Sequence, residues 1–153
     1  IKKLKNKVNF RVLFIGSGEQ STEIKKYIIN NKLSKNILIK SHMKNPFPYL
    51  KKSDVLILSS KYEGLPNVLL ESLSLKKPVI SSDCPTGPKE ILDNGLGGLL
   101  FKTGNVNNLA KKIMFFHKNF NKCKKKTLYG YKRLSRFNSK ENLNKYVKLI
   151  NSL

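Results

Sequence analysis

Acidic residues, cysteine and tryptophan are scarce in this chain of 153 residues, which has nine Asp and Glu, two Cys and no Trp. The cysteines, Cys84 and Cys123, are too few for a disulfide scaffold and suit a reducing compartment. No apolar run approaches the roughly 20 residues that a membrane-spanning helix requires. The lysine-rich start lacks both the apolar stretch of a signal peptide and an initiator methionine. We therefore expect the chain to be part of a longer protein.

Positive charge dominates the composition, with 31 Lys and Arg giving a formal net charge of +22. Such an excess suggests a polyanionic partner, either nucleic acid or an anionic membrane. An AT-rich genome, which enriches Lys, Asn and Ile at exposed positions, is a simpler explanation. Specific nucleic-acid readers depend on arginine, and the arginines here are only Arg11, Arg133 and Arg136. We prefer genomic bias, place membrane attraction second, and expect no specific nucleic-acid recognition.

Apolar residues make up 39% of the chain, which is enough to bury a core. The first two-thirds alternates short apolar runs with helical stretches, as βαβ units around a parallel sheet do. The predicted strands are 11–16, 36–40, 54–60, 78–82 and 98–101, with the first of them buried. The predicted helices are 23–31, 46–52 (or a turn) and 66–75, the last with Pro66 as its first helical residue. The sequence thus predicts an α/β, Rossmann-like parallel sheet flanked by helices.

The remainder of the chain has a helical pattern and is strongly basic. In this part of the chain, the first predicted helix has Asn105 as its N-cap, and the last predicted helix has Ser139 as its N-cap. Apolar residues at helical spacing define one face of each helix. These residues are Val106, Leu109, Ile113 and Phe116 in the first helix, and Leu143, Tyr146, Val147 and Ile150 in the last. We expect a core over about residues 8–116 and a helical tail over 117–153, in a single domain.

A glycine pair, Gly16 and Gly18, lies where the first strand passes into a helix. Ser21 occupies the position of the third glycine of a dinucleotide-binding motif, and no P-loop lysine follows. The turn needs glycine for its backbone alone, so the motif is weak by itself. Ligands nevertheless bind at the carboxyl ends of parallel strands in such sheets.

The segment 59–71, SSKYEGLPNVLLE, is the most informative part of the sequence. A strand ends, Glu63 follows in a loop, Gly64 lets a backbone approach a ligand, and Pro66 opens a helix. The N-terminus of a helix binds phosphate through its unpaired N–H groups and dipole. Glu71 lies about one and a half turns into an otherwise apolar helix, where a carboxylate needs a partner such as ribose hydroxyls.

Glu63 and Glu71 form an E-x7-E pattern, and SSKYEGLPNVLLES resembles the C-terminal domain of retaining, GT-B-fold glycosyltransferases of the family-four type. The resemblance continues through KPVI at 77–80, DCPTGPKEIL at 83–92 and NGLGGLLF at 94–101. Upstream, FIGSGE at 14–19 is similar to that domain's entry of a strand followed by GxG, and KSDV at 52–55 is similar to the start of one of its strands. The similarity covers about residues 8–116. The DCPTGPKEIL form is similar to that of bacterial enzymes that build lipid-linked oligosaccharide, lipopolysaccharide or capsule.

The resemblance assigns a role to several residues. Glu63 is the implied catalytic residue and faces the donor sugar, whereas Glu71 holds the ribose. The backbone around Gly64 and Leu65 contacts the diphosphate. The other implied donor-binding residues are Pro66, Gly16, Gly18, Ser41 and His42, of which the last two lie against the base. Ser41 stands where the family usually has glycine.

The function implied by the resemblance is transfer of a sugar, with retention, from a nucleotide-sugar such as a UDP-sugar to an acceptor hydroxyl in glycan biosynthesis. The nucleotide-sugar is a substrate, no cofactor is implied, and no catalytic metal is expected. The N-terminal acceptor domain is missing from the sequence, so we expect the chain alone to be inactive. The implied location is cytoplasmic, with weak peripheral contact with anionic membrane. The implied acceptor is a saccharide or a lipid-linked molecule. Two alternatives remain: a non-catalytic nucleotide- or membrane-binding fragment, and a GT-B-fold nucleotide-sugar epimerase.

Overall fold

A computed structural model describes residues 1–4 and 7–152 of the chain. It divides the chain into two compact units, Ile1–Lys52 and Ser53–Leu153. The described strands are β1 (Val12–Ile15), β2 (Ile37–Lys40), β3 (Leu56–Leu58), β4 (Val79–Ser82) and β5 (Leu99–Phe101). The described α-helices are α1 (Ser21–Asn30), α2 (Phe47–Lys52), α3 (Asn67–Ser74), α4 (Pro88–Ile91), α5 (Val106–Lys118), α6 (Phe120–Lys132) and α7 (Ser139–Ile150). The predicted α/β class is confirmed.

The first unit contains a two-stranded parallel sheet in which Val12 pairs with Ile37 and Ile15 with Lys40. Its core is small, and the buried apolar side chains are Leu4, Ile28, Leu33 and Leu50. The prediction that the first strand is buried is wrong, because Phe14 is 41% exposed and the other β1 residues are half-buried. A two-stranded sheet gives β1 a single neighbour, so the strand's apolar composition exceeds what this unit covers.

The second unit contains a three-stranded parallel sheet in the order β3-β4-β5. The central strand β4 is buried along its whole length, as expected of a strand covered on both faces. Successive side chains of a strand point to opposite faces, and Val79 and Ile80 accordingly enter two different clusters. The first cluster contains Leu69, Leu73, Val79, Ile91 and Leu92. The second contains Ile80, Leu99, Phe101, Phe116 and Cys123.

Two predicted helix starts are shifted by one residue. Pro66 has φ −71° and ψ 92°, an extended conformation, so it is the N-cap of α3 and the helix begins at Asn67. The Asn138 side chain accepts hydrogen bonds from the backbone N–H groups of Lys140 and Glu141, so Asn138 caps α7 and the prediction of Ser139 is wrong. An asparagine carbonyl reaches the first free N–H groups of a helix as well as a serine hydroxyl does.

The amphipathic pattern of α5 agrees with the structure. Asn105 accepts a hydrogen bond from the Asn108 N–H and is its N-cap, as predicted. Leu109 and Ile113 pack against the cluster that contains Phe116, whereas Val106 is exposed. The apolar stripe predicted in α7 does not enter a core, because none of the residues described in that helix is buried.

Both cysteines are buried and free. Burial raises the pKa of the Cys123 thiol, an effect that Lys126 partly opposes. Among residues 1–4 and 7–152, no helix is long and apolar enough to cross a membrane.

Gly130 in α6 is a close-packing position. A Cβ placed there would lie 2.9 Å from Leu73 Cδ2 and 3.1 Å from the Gly97 carbonyl oxygen. Leu73 is fully buried and Gly97 has only backbone atoms, so moving either neighbour away from a new Cβ would cost free energy. We expect Gly130→Ala to lower the free energy of unfolding by about 1–3 kcal/mol, the usual cost of overpacking. Urea denaturation measures this change.

Lys125→Ala is a suitable control because it changes an exposed residue of the same helix. It should alter the free energy of unfolding by no more than about 0.5 kcal/mol. A Gly130→Ala variant as stable as the parent would show that α6 does not pack against Leu73 and Gly97 at this distance.

Candidate functional site

The loops that follow β3 and β4 are joined at the carboxyl ends of these neighbouring parallel strands. The buried Ser82 hydroxyl donates a hydrogen bond to the Ser60 carbonyl oxygen (2.7 Å). The Ser60 hydroxyl in turn donates to Glu63 Oε1 (2.6 Å). Glu63 is half-buried, so its carboxylate is held by a short charge-assisted hydrogen bond while part of it stays accessible. This arrangement fixes the direction of the Glu63 side chain.

The backbone of Glu63 is held as firmly as its side chain. Its N–H donates to the Pro85 carbonyl oxygen (3.0 Å), and its own carbonyl accepts from the Thr86 N–H (2.9 Å). The Thr86 hydroxyl also donates to Glu63 O (3.0 Å) and lies 3.3 Å from Gly64 O. We call these contacts between 63–64 and 85–86 the loop clamp. It orders a segment that otherwise has no regular secondary structure.

Gly87 follows the loop clamp in the chain, and any side chain at this position would displace neighbouring atoms of Gly64 and Pro66. It has φ +83°, a conformation that L side chains rarely adopt. A Cβ there would collide with the Gly64 carbonyl oxygen and lie 2.6 Å from Pro66 Cδ. Pro66 is buried and has little room to move aside. The two loops can therefore come into contact because Gly87 has no side chain.

Gly64 presents the opposite case. Its φ is not in the positive range, and a Cβ built on it meets nothing within 4 Å. Neither the backbone conformation nor the packing of the described residues requires glycine here. The neighbouring Leu65 is 50% exposed, so this stretch of backbone is open to an approaching molecule.

Glu71 lies in the second turn of α3 and is half-buried. Its side-chain carboxylate makes no hydrogen bond or ion pair with any residue in the described part of the chain. The helix leaves this carboxylate without a partner, in contrast to Glu63. An unpaired, half-buried carboxylate is a group that a ligand's hydroxyls can satisfy.

The first unit carries the other residues that the sequence singles out. Gly16 follows β1 and donates its N–H to the Lys40 carbonyl oxygen (3.0 Å), while Ser41 and His42 follow β2. The parallel register of the two strands therefore brings Gly16 and Ser41 to the same edge. Ser41 and His42 are exposed. The Ser21 hydroxyl donates to the Gly18 carbonyl oxygen (2.5 Å), which holds the turn into α1.

Sequence reasoning missed Ser60, Thr86 and Gly87 as supporting residues. Ser60 lies three positions before Glu63, a spacing that many unrelated loops also have. Thr86 and Gly87 belong to the quoted PTGP turn, but their contacts with Glu63 and Gly64 span more than 20 positions of the chain. No local pattern reveals such a pairing. Within the described residues, no three His, Cys, Asp or Glu side chains group as metal ligands would.

The parallel α/β architecture, with ordered loops at the strand ends, is that of the C-terminal domain of GT-B glycosyltransferases, as comparison with known proteins shows. The family described as "Glycosyl transferases group 1" matches residues 1–133. The chain belongs to this family.

Two curated relatives and one solved structure illustrate the similarity. An uncharacterised glycosyltransferase of Methanocaldococcus jannaschii is 44% identical over 84 residues, which cover 55% of this chain and 21% of the relative. The amylovoran biosynthesis glycosyltransferase AmsD of Erwinia amylovora is 38% identical over 91 residues, 59% of this chain and 26% of the relative.

The structure is a mutant of S. aureus TarM in complex with Fondaparinux, alpha-GlcNAc-glycerol and UDP. It superimposes with a TM-score of 0.86 at 24% identity, covering 98% of this chain and 31% of TarM. The similarity to TarM shows a shared fold. This chain therefore spans less than a third of each of these proteins.

Proposed function

We propose that this chain is the donor-binding half of a retaining glycosyltransferase that moves a sugar from a nucleotide-sugar, in the first instance a UDP-sugar, to an acceptor hydroxyl. The observation that carries the proposal is the environment of Glu63 and Gly64. The protein holds the Glu63 carboxylate in place through Ser60, and it places beside it a glycine that its own packing does not require. TarM, a relative in fold, was solved with UDP, which supports this choice of donor.

Glu63 is the residue that we assign to the reacting centre. A carboxylate whose direction is set before substrate binds can orient a sugar and stabilise positive charge that develops on its ring. Preorganisation of this kind requires that the supporting contacts be rigid. The loop clamp and the Ser60 hydroxyl supply that rigidity here.

The diphosphate is assigned to the backbone around Gly64 and Leu65 and to the start of α3. The first N–H groups of a helix have no intrahelical partners, and they carry the positive end of the helix dipole. These groups stabilise the charge that develops on the departing diphosphate. Pro66, the N-cap, has no N–H, so the donors are its neighbours in the chain.

Glu71 is assigned to the ribose, whose two hydroxyls would satisfy its unpaired carboxylate. Gly16, Gly18, Ser41 and His42 are assigned to the remainder of the nucleotide, with Ser41 and His42 toward the base. These four assignments rest on the family resemblance and on the exposure of Ser41 and His42 at a strand edge. No cofactor or catalytic metal is part of the proposal.

The acceptor is proposed to be a saccharide or a lipid-linked glycan in polysaccharide or lipopolysaccharide biosynthesis. The relative from Erwinia amylovora is named for biosynthesis of amylovoran, which supports this assignment. We further propose a cytoplasmic location with weak contact at the inner face of the cell membrane. The net charge of +22 supports attraction to anionic lipid.

Calorimetric titration of the chain with UDP, GDP and ADP tests the proposal, together with a transfer assay on UDP-sugars. We expect weak binding of UDP and no sugar transfer, because the chain spans only part of its relatives. Absence of binding by all three nucleotides would contradict the donor-binding role. Robust transfer by the chain alone would contradict the assignment of half an active site.

A further inference from the structure

A cleft in the unit Ser53–Leu153 has no residue of the Glu63 loop among those that line it. It has a volume of about 540 Å3 and runs along β5, between the turn that precedes this strand, α5 and α6. Its wall includes residues 98–100, and β5 lies at one edge of its three-stranded sheet. The side chains that matter for its chemistry are Lys111, Lys112, Lys126, Asn94, Asn108 and Phe115.

The cleft is lined by cations without a compensating anion. Lys111, Lys112 and Lys126 contribute ammonium groups, and none of the residues lining the cleft is Asp or Glu. The two helices beside it hold three lysines in α5 and five in α6, again without a carboxylate. Lys126 lies four positions after Lys122 in α6, and like charges at this spacing destabilise a helix, so an anion bound beside Lys126 would relieve that repulsion.

The nearest acidic residue along the chain, Asp93, is already engaged elsewhere. Tyr129 donates its hydroxyl to Asp93 Oδ2 (2.5 Å), and Arg133 Nε lies 3.6 Å from the same oxygen. The hydrogen bond to Asp93 raises the pKa of Tyr129, which keeps the phenol protonated as the donor. Asp93 does not line the cleft. Its charge is therefore engaged by Tyr129 of α6 and by Arg133, which follows that helix.

Two polar groups of the cleft are already ordered. Lys126 Nζ donates to the Gly95 carbonyl oxygen (2.6 Å), which fixes a half-buried ammonium that has two further N–H donors. Asn108 accepts the Lys102 N–H through Oδ1 (2.8 Å), which leaves its amide NH2 group as a donor. A site whose donors are held in place before binding loses less entropy when a ligand arrives.

We propose that this cleft binds a phosphoryl group, carried either by a small phosphate ester or by a phospholipid headgroup. A cleft of several hundred Å3 accommodates a small ligand, and converging lysine and amide donors match the oxygens of a phosphate. None of the residues that line this cleft is among those assigned to the nucleotide-sugar. It therefore adds a second anion site to the same unit.

A charge-matched pair of variants tests the proposal. The cleft variant changes Lys111, Lys112 and Lys126 to Gln, and the control changes Lys122, Lys124 and Lys125, which do not line the cleft. Each removes three positive charges. Titration with inorganic phosphate and glycerol 3-phosphate, followed by amide NMR, should shift resonances of residues 94–112. We expect affinity to fall about tenfold or more in the cleft variant and less than about twofold in the control.

Changing Lys126 to Gln removes its hydrogen bond to the Gly95 carbonyl oxygen, which lowers the stability of the triple variant. The comparison is therefore repeated with the double variant K111Q/K112Q and its control K124Q/K125Q. Vesicles of phosphatidylcholine with and without phosphatidylglycerol distinguish the two sources. Selective loss of vesicle binding in the cleft variants identifies the headgroup, and selective loss of phosphate binding alone identifies the soluble ester. Equal losses in cleft and control variants, or failure of the parent to bind inorganic phosphate, glycerol 3-phosphate and anionic vesicles alike, would overturn the proposal.

Discussion

Glu71→Gln is expected to weaken UDP binding by about 1–3 kcal/mol, a loss of roughly 5- to 150-fold in affinity. The carboxylate has no partner among the described residues, so it is free to accept hydrogen bonds from both ribose hydroxyls. The amide has a single acceptor oxygen and no charge, and each hydrogen bond to a charged group is worth more than one to a neutral group. Isothermal titration calorimetry with UDP measures the change.

Glu63→Gln is the matched control for this experiment. It removes the same charge from the same segment. Glu63, however, is assigned to the transferred sugar of the nucleotide-sugar, and UDP lacks that sugar. The affinity for UDP should therefore remain within about twofold of the parent. Equal losses in the two variants would show that the division of roles between Glu63 and Glu71 is wrong. Unchanged affinity in both would remove Glu71 from the nucleotide site.

Gly87→Ala is expected to lower the free energy of unfolding by about 2–4 kcal/mol, since it combines an unfavourable left-handed conformation with overpacking. The added methyl group would strike the Gly64 carbonyl oxygen and crowd Pro66. Relief of that collision would require the loop clamp to open. Urea denaturation measures the stability, and the change should be accompanied by weaker UDP binding.

Gly64→Ala is the control for Gly87→Ala, and it also probes the donor site. The new Cβ would meet no atom within 4 Å, and the φ of residue 64 is not positive. The free energy of unfolding should therefore change by no more than about 0.5 kcal/mol. UDP affinity should nevertheless fall, because the methyl group would occupy the place that we assign to the diphosphate. A stable variant with unchanged UDP affinity would show that no ligand approaches the backbone at Gly64.

Local patterns in the sequence predict the elements of the fold well. Each predicted strand is present, and Asn105 caps α5 because an asparagine before an apolar helical face is a local signal. The distribution of the strands over a two-stranded and a three-stranded sheet could not be predicted, because apolar runs identify strands without naming their neighbours. The exposure of the α7 stripe was missed for a similar reason. Periodicity defines an apolar face but not what covers it.

The candidate site shows the same division. The E-x7-E segment places Glu63 at a strand end and Glu71 on the following helix from sequence alone, and the structure has both there. The residues that hold Glu63 were not predicted as such. Thr86 reaches Glu63 from 23 positions away, and Gly87 fits against Gly64 through contacts that depend on the packing of two loops. Contacts of this kind follow from tertiary structure and leave no local pattern.

Amide NMR of the chain titrated with UDP tests the central claim most directly, namely that the segment from Glu63 to Glu71 forms the donor site. We expect saturable shifts that are largest at the N–H groups of Gly64 and Leu65 and in the first turn of α3. We also expect that the Glu71→Gln variant shows the same pattern at higher UDP concentration. Saturable binding of UDP that leaves the amide resonances of residues 63–71 unshifted would show that the nucleotide binds elsewhere on the chain.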